Sequence, residues 1–418
     1  MTSLPVAAHC RGRLLAALLV SLAFAGCAVR PPAPPSPRPP GPPVPAPAPA
    51  PSAAEARAVY EPIAFERLPA TRAEDWVAAW PAFLQTCRAL GQRDAWRDLC
   101  AQAATVDGRN GASVQKFFAS RFDAYRVRAR RLEGEREVET RDVGLMTGYY
   151  EPLLRGSRSR SEKYGTPIYR VPADLLTVDL ASVYPELSTL RLRGKLQGRR
   201  IVPYPSRADI TNGELLAGNE LVWVDDPVEA FFLQVQGSGR VQFADGSMIR
   251  LAYGDQNGHP YRSIGRWLVD QGELTLDQAS MESIKAWVAL NPSRARELLN
   301  QNPSFVFFRE LPLGDPNTGP VGALGVPLTP GYSLAADARH IPLGAPIVVD
   351  TIDPANGTAL TRPMLAQDTG GAIRGPLRFD FFWGFGSGAG NIAGRQKHEV
   401  SAWLLVPKGS APESLLRR

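Results

Sequence analysis

Ala366-Gln367-Asp368-Thr369-Gly370-Gly371-Ala372-Ile373, followed closely by Phe379-Asp380, is the stretch that decides the fold of this chain. An apolar, strand-like run ends in an aspartate, a glycine pair opens a turn, and the next apolar run carries another aspartate. Upstream, Ala335-Ala336-Asp337 runs into Ile341-Pro342-Leu343-Gly344 and places a third carboxylate beside an apolar segment. A carboxyl at such a place is partly desolvated, and desolvation raises its pKa towards the range where it can donate a proton. Asp also pairs with Gly in turns and caps for structural reasons alone, and spacing by itself favours that second explanation. Beyond Asp315 the chain is rich in Gly and Pro, with short strand patterns at residues 347–350, 364–367 and 402–406. Short strands separated by turns predict a small barrel.

Working outward from that region, residues 143–154 and 222–235 are mostly apolar and fall within a segment of strands and turns. Residues 240–243 and 248–253 flank Ala244-Asp245-Gly246-Ser247, a hairpin with an Asp-Gly turn. Helical periodicity appears at residues 280–290 and 293–300, with Pro292 between them. Nearer the N-terminus, Thr71 with Glu74 reads as a capping box ahead of Trp76, Val77, Trp80, Phe83 and Leu84 at helical spacing. Residues 114–132 continue this helical region, with Phe117, Phe118, Phe122 and Tyr125 on one side and arginines on the other, a stripe expected to pack a core.

The first fifty residues differ in character. Arg11 and Arg13 precede the apolar run 14–24, and small residues lead to Cys27. That run is too short for a membrane-spanning helix of about 20 residues, and the pattern matches a secretory signal. A cysteine directly after Ala25-Gly26 resembles the lipobox of bacterial lipoproteins, which implies acylation of Cys27. Ala28 and Val29 follow, without the Asp that retains lipoproteins in the inner membrane, so the periplasmic face of the outer membrane is the expected location. Residues 31–51 are nearly all Pro and Ala, a polyproline II spacer able to reach on the order of 60 Å.

The 418-residue length predicts more than one domain, and 44% hydrophobic with 21% charged residues predicts that most of the chain folds. A net charge of +6 suits an anionic partner but fits many solvated surfaces. Nothing in the chain points to nucleic acid. Gly384, Gly386, Gly388 and Gly390 alternate, but they form neither a dinucleotide fingerprint nor a P-loop, and a flexible loop is expected there. The histidines (His9, His259, His340 and His398) are dispersed, so no histidine metal site is expected. No Gly-x-Ser-x-Gly elbow is present, against an α/β hydrolase. Cys87 and Cys100, on two expected helices flanking a turn, are candidates for a disulfide in an oxidising periplasm; zinc is not expected there, since no other Cys or His lies near.

The C-terminal stretch resembles the three-aspartate domain, a double-psi β-barrel in which these aspartate motifs recur. The middle of the chain is similar to the specific insert of the membrane-bound lytic murein transglycosylase A family. The matching segments are Thr147-Gly148-Tyr149-Tyr150-Glu151-Pro152, Val235-Gln236-Gly237-Ser238-Gly239, Gly258-His259-Pro260-Tyr261-Arg262-Ser263-Ile264-Gly265 and Asn302-Pro303-Ser304-Phe305-Val306-Phe307-Phe308. With the barrel they cover roughly residues 140–408. The resemblance implies a mainly β protein with peripheral helices, in which a discontinuous larger domain carries an inserted second β domain. The expected divisions are a signal peptide at 1–26, the anchor and linker at 27–53, an N-terminal helical part at 54–154, the insert at 155–312, and the barrel at 313–410.

It further implies a lytic transglycosylase that cleaves peptidoglycan glycan strands without metal or cofactor, using the aspartate of the third motif, Asp380. Asp368 and Asp337 would be supporting acids, raising the pKa of Asp380 by like-charge repulsion or bonding to it. A groove between the domains would be lined by Tyr149, Tyr150, Gln236, Gly237, Ser238, Tyr261, Arg262, Gly370 and Gly371, although packing of the domain joint explains the aromatics equally well. Other cell-wall enzymes are open as partners. Two other classes compete: Asp368-Thr369-Gly370 is also an aspartic-protease signature, but no second copy exists to share the proton; and an expansin-like module would bind wall polysaccharide without cutting it.

Overall fold

The computed structural model describes residues 56–416, apart from 134, 135, 185, 186, 188, 189 and 277. The expected leader, Cys27 and the linker to residue 53 lie outside the described residues. The chain begins with β1 (Ala56–Ile63), three helices α1 (Ala73–Leu90), α2 (Asp94–Ala103) and α3 (Gly111–Arg121), and strands β2 (Phe122–Glu133), β3 (Arg136–Arg141) and β4 (Gly144–Glu151). A middle segment follows, with β5 (Leu153–Ser157), β6 (Thr166–Tyr169), β7 (Leu176–Thr177), β8 (Arg193–Gln197), β9 (Arg200–Pro203), α4 (Arg207–Asn212), β10 (Glu220–Val224), α5 (Pro227–Gln236), β11 (Ser238–Gln242) and β12 (Met248–Gln256). It ends with α6 (Ile264–Asp270), α7 (Met281–Leu290), α8 (Ala295–Asn300) and β13 (Val306–Pro312). The last part contains β14 (Ser333–Ala336), β15 (Pro346–Ile352), β16 (Ala359–Asp368), β17 (Arg378–Phe385), α9 (Gly386–Ala393) and β18 (Lys397–Pro407).

The protein is mainly β with peripheral helices, as expected. Six strands close on themselves in the order β18-β15-β16-β14-β17-β4, because the first half of β18 pairs back onto β4. Alternation builds this ring. Residues at every second position, among them Met146, Leu334, Ile347, Met364, Phe379 and Phe381, fill the interior, while Val348, Leu365 and Leu405 face the helices. Burying each such side chain is worth about 1.5–3 kcal/mol. Five of the strands come from one stretch of chain, but β4 is contributed from far upstream. It lies parallel to β17, with Thr147 opposite Asp380.

Helices α1–α3 cover the outside of the ring through an aromatic cluster of Trp76, Trp80, Phe83, Phe117, Phe118 and Phe122. The buried Gln367 joins the layers: its amide donates to the Ala82 carbonyl (2.7 Å) and Thr86 Oγ1 (3.0 Å), and its oxygen accepts from Ser333 Oγ (2.6 Å). Cys87 and Cys100 form a disulfide between α1 and α2.

Several local expectations change. Thr71 caps nothing: α1 starts at Ala73 after Arg72, whose guanidinium bonds Asp75, and the Thr71 hydroxyl accepts from the Trp76 indole instead. The helix expected over 114–132 ends at Arg121, and its arginine-rich half is β2, held between β1, β3 and β18. Residues 222–235 divide into β10 and α5, because Asp226 accepts from Val228 N–H (2.7 Å) and Pro227 occupies the first turn. Of the alternating glycines, Gly384 lies in β17, and Gly386, Gly388 and Gly390 belong to α9 rather than to a loop. Gly390 lies so close to the Tyr150 ring that a Cβ would stand 2.8 Å from it.

The middle segment forms a six-stranded sheet, β13-β12-β11-β5-β10-β6, and a small β7-β8-β9 sheet. The expected Asp-Gly hairpin joins β11 and β12, with Gly246 at φ +84°. The Asn302–Phe305 turn wraps a buried cation. Arg207 donates to the carbonyls of Asn302 (3.0 Å) and Ser304 (2.6 Å) and to Gln234 (2.7 Å), between the rings of Phe231 and Phe305.

The two large sheets meet at one carboxylate. Glu151, at the end of β4, is 0% exposed and accepts from Arg240 (2.8 Å) and Arg250 (2.7 Å) of β11 and β12. The same guanidiniums donate to the carbonyls of Pro316 and Thr318, where the chain leaves the second sheet for the barrel. Arg240 also stacks on Phe385 of β17 at 3.9 Å. Removing one partner of a buried ion pair typically costs 3–5 kcal/mol, because the remaining charge is stranded. Glu151→Gln should therefore lose about 3 kcal/mol or more of stability in urea unfolding, and a loss below about 1 kcal/mol would show that the cluster is not held as described.

Candidate active site

The ring brings two of the three expected aspartates together. Ala335 of β14 is the register partner of Asp380 on one side and Asp368 on the other, and Thr147 lies opposite Asp380 on β4. Asp380 Oδ1 accepts from Thr147 Oγ1 at 2.6 Å, and its other oxygen has no protein donor among the described residues. Burial pushes the Asp380 carboxyl up to about 6. The Thr147 bond and the charge of Arg378 oppose that rise, and repulsion from Asp368 adds the smallest contribution. Desolvation, rather than like-charge repulsion, is thus what poises the group.

Asp368 is engaged on both oxygens. Oδ1 accepts from Ala323 N–H (2.9 Å) and Oδ2 from the Tyr149 hydroxyl (3.0 Å). Burial raises its pKa, and these bonds with the Thr369 N–H oppose the rise. The Tyr149 hydroxyl is itself held neutral, its pKa well above the usual value through burial and the nearby carboxylates. The Ala323 donor belongs to a loop that runs from Gly319 to Leu328 along the end of β16, with Leu324 N–H bonded to the Gln367 carbonyl. A wall beside the aspartates is therefore made by the segment joining the two sheets.

Asp337 corrects the expectation of a supporting acid. It is 3% exposed, and although burial alone would raise its pKa, bonds from Arg339 and from the N–H groups of Gly375 and Arg339 carry it below the usual value. Asp337 Oδ2 accepts from Gly375 N–H at 2.8 Å, so this carboxylate fastens the turn between β16 and β17. It is not among the groups that shift Asp380.

The expected groove residues divide in the same way. Tyr149 stands at the aspartates, with its ring 5.2 Å from that of Phe382. Gly370 and Gly371 begin the turn after Asp368. Tyr150 is 5% exposed and packs the joint, its hydroxyl reaching Met281 Sδ at 3.6 Å. Gln236 accepts from the Tyr150 N–H (3.1 Å), tying α5 to β4. Gly237 ends α5 in the left-handed conformation, at φ +79°, and Ser238 opens β11. Tyr261, 52% exposed, and Arg262 lie on the loop beside Arg207, and no hydrogen bond among the described residues links them to Asp380. Thr147, the first residue of the Thr147–Pro152 motif, is a site residue that the sequence reading does not single out. Among the described residues no group of His, Cys, Asp and Glu is placed to hold a metal ion.

A closed barrel with aspartates at one end, interrupted by an inserted β-sheet, defines a three-aspartate barrel protein with an insert. The MltA specific insert domain matches residues 145–309 and the 3D domain matches residues 332–406. The membrane-bound lytic murein transglycosylase A of Escherichia coli K12 is 36% identical over 267 residues, 62% of this chain and 64% of that protein. The match therefore spans just under two thirds of that relative. The crystal structure of MltA from Neisseria gonorrhoeae is 37% identical with a TM-score of 0.71, covering 88% of this chain and 96% of that one. Escherichia coli MltA with bound chitohexaose is 28% identical with a TM-score of 0.61, covering 83% and 94%. The chain belongs to the MltA family.

A carboxyl raised by folding stabilises the protein most when protonated, and that contribution is lost as pH rises through about 6. Asp380→Asn removes the cost of holding a buried charge. It should raise the stability at pH 8 by on the order of 2 kcal/mol, with the gain vanishing near pH 4. Thermal unfolding at the two pH values checks this, and an equal effect at both would contradict a buried, raised carboxyl.

Proposed function

We propose that this chain is a lytic transglycosylase, cutting the β-1,4 bond between N-acetylmuramic acid and N-acetylglucosamine in peptidoglycan. The observation that carries this is Asp380: a carboxyl near 6, held on one oxygen by Thr147 and open on the other, while donors occupy Asp368. Hydrolysing glycosidases use two carboxylates. One suffices if the nucleophile is inside the substrate. Protonated Asp380 donates to the glycosidic oxygen, an oxocarbenium-like sugar forms, and the resulting carboxylate takes the proton from the C6 hydroxyl of the same muramoyl unit. That oxygen closes on C1, giving a 1,6-anhydro end without consuming water. Attack from within one sugar carries the entropic advantage of an intramolecular reaction. Thr147 is a positioning residue for the proton, and Tyr149 and the Gly319–Leu328 loop wall the site. The bound oligosaccharide of the Escherichia coli relative supports a glycan substrate.

General acid–base catalysis is typically worth 10²–10⁴-fold. Asp380→Asn should keep its fold and bind glycan strands yet lose at least about a thousandfold in turnover. Wild-type kcat/KM should fall as pH rises beyond about 6, as the proton donor ionises. Turnover of purified strands, with mass spectrometry of the ends, checks both. Near-normal turnover by the variant would remove Asp380 from the mechanism, reducing ends would indicate hydrolysis, and binding by the wild type without any product would favour an expansin-like role.

The barrel with its helices serves as one domain and the segment from β5 to β13 as an inserted second one. The enzyme works in cell-wall turnover and recycling, anchored on the periplasmic face of the outer membrane by acylated Cys27. Cys27→Ala should move the protein from the membrane pellet to the soluble periplasm, and a variant that stays in the pellet would refute the anchor.

A further inference from the structure

Two residues before Asp380 on the same strand, Arg378 of β17 lines an open hollow of about 300 Å³ together with Arg131 of β2, Glu139 and Arg141 of β3, and Arg374 in the turn after Asp368. Four guanidiniums face one carboxylate. Glu139 is committed to Arg141, with Arg131 more distant at 3.8 Å. Arg374 and Arg378 bond only backbone carbonyls, those of Gly371 and Phe379, with no carboxylate in bonding contact among the described residues. The lining is held in place: Gly375 N–H is fixed by Asp337 and the Leu377 carbonyl by Leu145 N–H (2.9 Å). Arg378 and Asp380 are two residues apart on one strand, so their side chains share a side about 6–7 Å apart. A cationic hollow therefore begins one strand repeat away from Asp380.

We propose that this cavity receives the carboxylates of the peptide stem carried by the muramoyl unit at Asp380. This rests on the glycan reading above. The stem leaves the sugar through the lactyl ether, close to the bond being cut, and it carries free carboxylates that guanidiniums bind through charge-assisted hydrogen bonds. A concave site that begins at Arg378, two residues from Asp380, suits a chain attached to the reacting sugar better than a flat lipid surface. The arginines thus make the enzyme favour stem-bearing over bare glycan.

The test compares strands carrying stems with strands stripped by an amidase, using the full-length protein and the Arg141→Ala/Arg374→Ala double variant, neither residue being part of the proton machinery. The parent should show a kcat/KM about tenfold higher on stem-bearing strands. The double variant should lose that preference while its turnover of stripped strands is unchanged. Equal rates on both substrates in the parent, a preserved preference in the variant, or equal losses on both would overturn the proposal. So would an unchanged preference accompanied by lost sedimentation with phosphatidylglycerol vesicles, which would assign the arginines to a lipid surface. Strand affinity of Asp380→Asn, with and without the two arginine changes, is measured in parallel. If the parent turned over neither substrate, the transglycosylase assignment would fall, while stem-dependent binding would still decide the role of the cavity.

Discussion

The buried carboxylate of Glu151 is the interaction on which the arrangement of this molecule depends. Two guanidiniums from the inserted sheet converge on the last residue of a barrel strand, and their remaining donors seize the returning chain at Pro316 and Thr318. Neither sheet could bury these groups alone, because an unpaired charge in such a place would be ionised at a cost of several kcal/mol. The tie therefore fixes where the insert stands relative to the barrel. It also acts through strand β4 itself, since Thr147 and Tyr149, which hold the two aspartates, lie only a few residues before Glu151. The geometry at Asp380 and the joint between sheets are properties of one short strand.

The three aspartates look alike in sequence and differ by their surroundings. Asp337 is surrounded by donors and acts as a fastener. Asp368 is fully engaged but raised by burial. Asp380 has a single strong donor, and burial leaves its carboxyl near 6. Pushing the pKa values of neighbouring carboxyls apart by environment is how acid and structural roles become separated.

Much of this was legible in sequence, for identifiable reasons. The alternation in residues 347–350, 364–367 and 402–406 gave strands because one face of each had to be buried. Asp245-Gly246 gave its hairpin because that turn needs a positive φ. The long motifs pointed to the family, but their roles were less legible. Gln236, Gly237 and Tyr150 serve the joint and a helix end, and the Asn302–Phe305 turn encircles Arg207. Thr147 could be recognised only through its register with Asp380, and Glu151 only through arginines about a hundred residues away. Asp337 had a local signal, Arg339 two residues on. Residues 114–132 misled because an aromatic stripe fits a helix up to Arg121 and a strand afterwards.

The ring is closed by a strand made early, while its five partners are made late. As the chain emerges from its N-terminus, β4 must wait for the entire insert before β17 and β18 exist to receive it. Closing so long a loop is entropically slow unless the intervening segment folds first and brings its ends together. The inserted sheet is placed to do this, since β5 follows β4 directly and the chain after β13 returns to the same joint at Pro316 and Thr318. Ring closure therefore needs strands from distant parts of the chain, and Asp380 reaches Thr147 only where β4 and β17 are paired. Without either strand that carboxyl would lie in water, where the burial that raises it is absent, so the raised state of Asp380 is a property of the closed ring and not of its own strand.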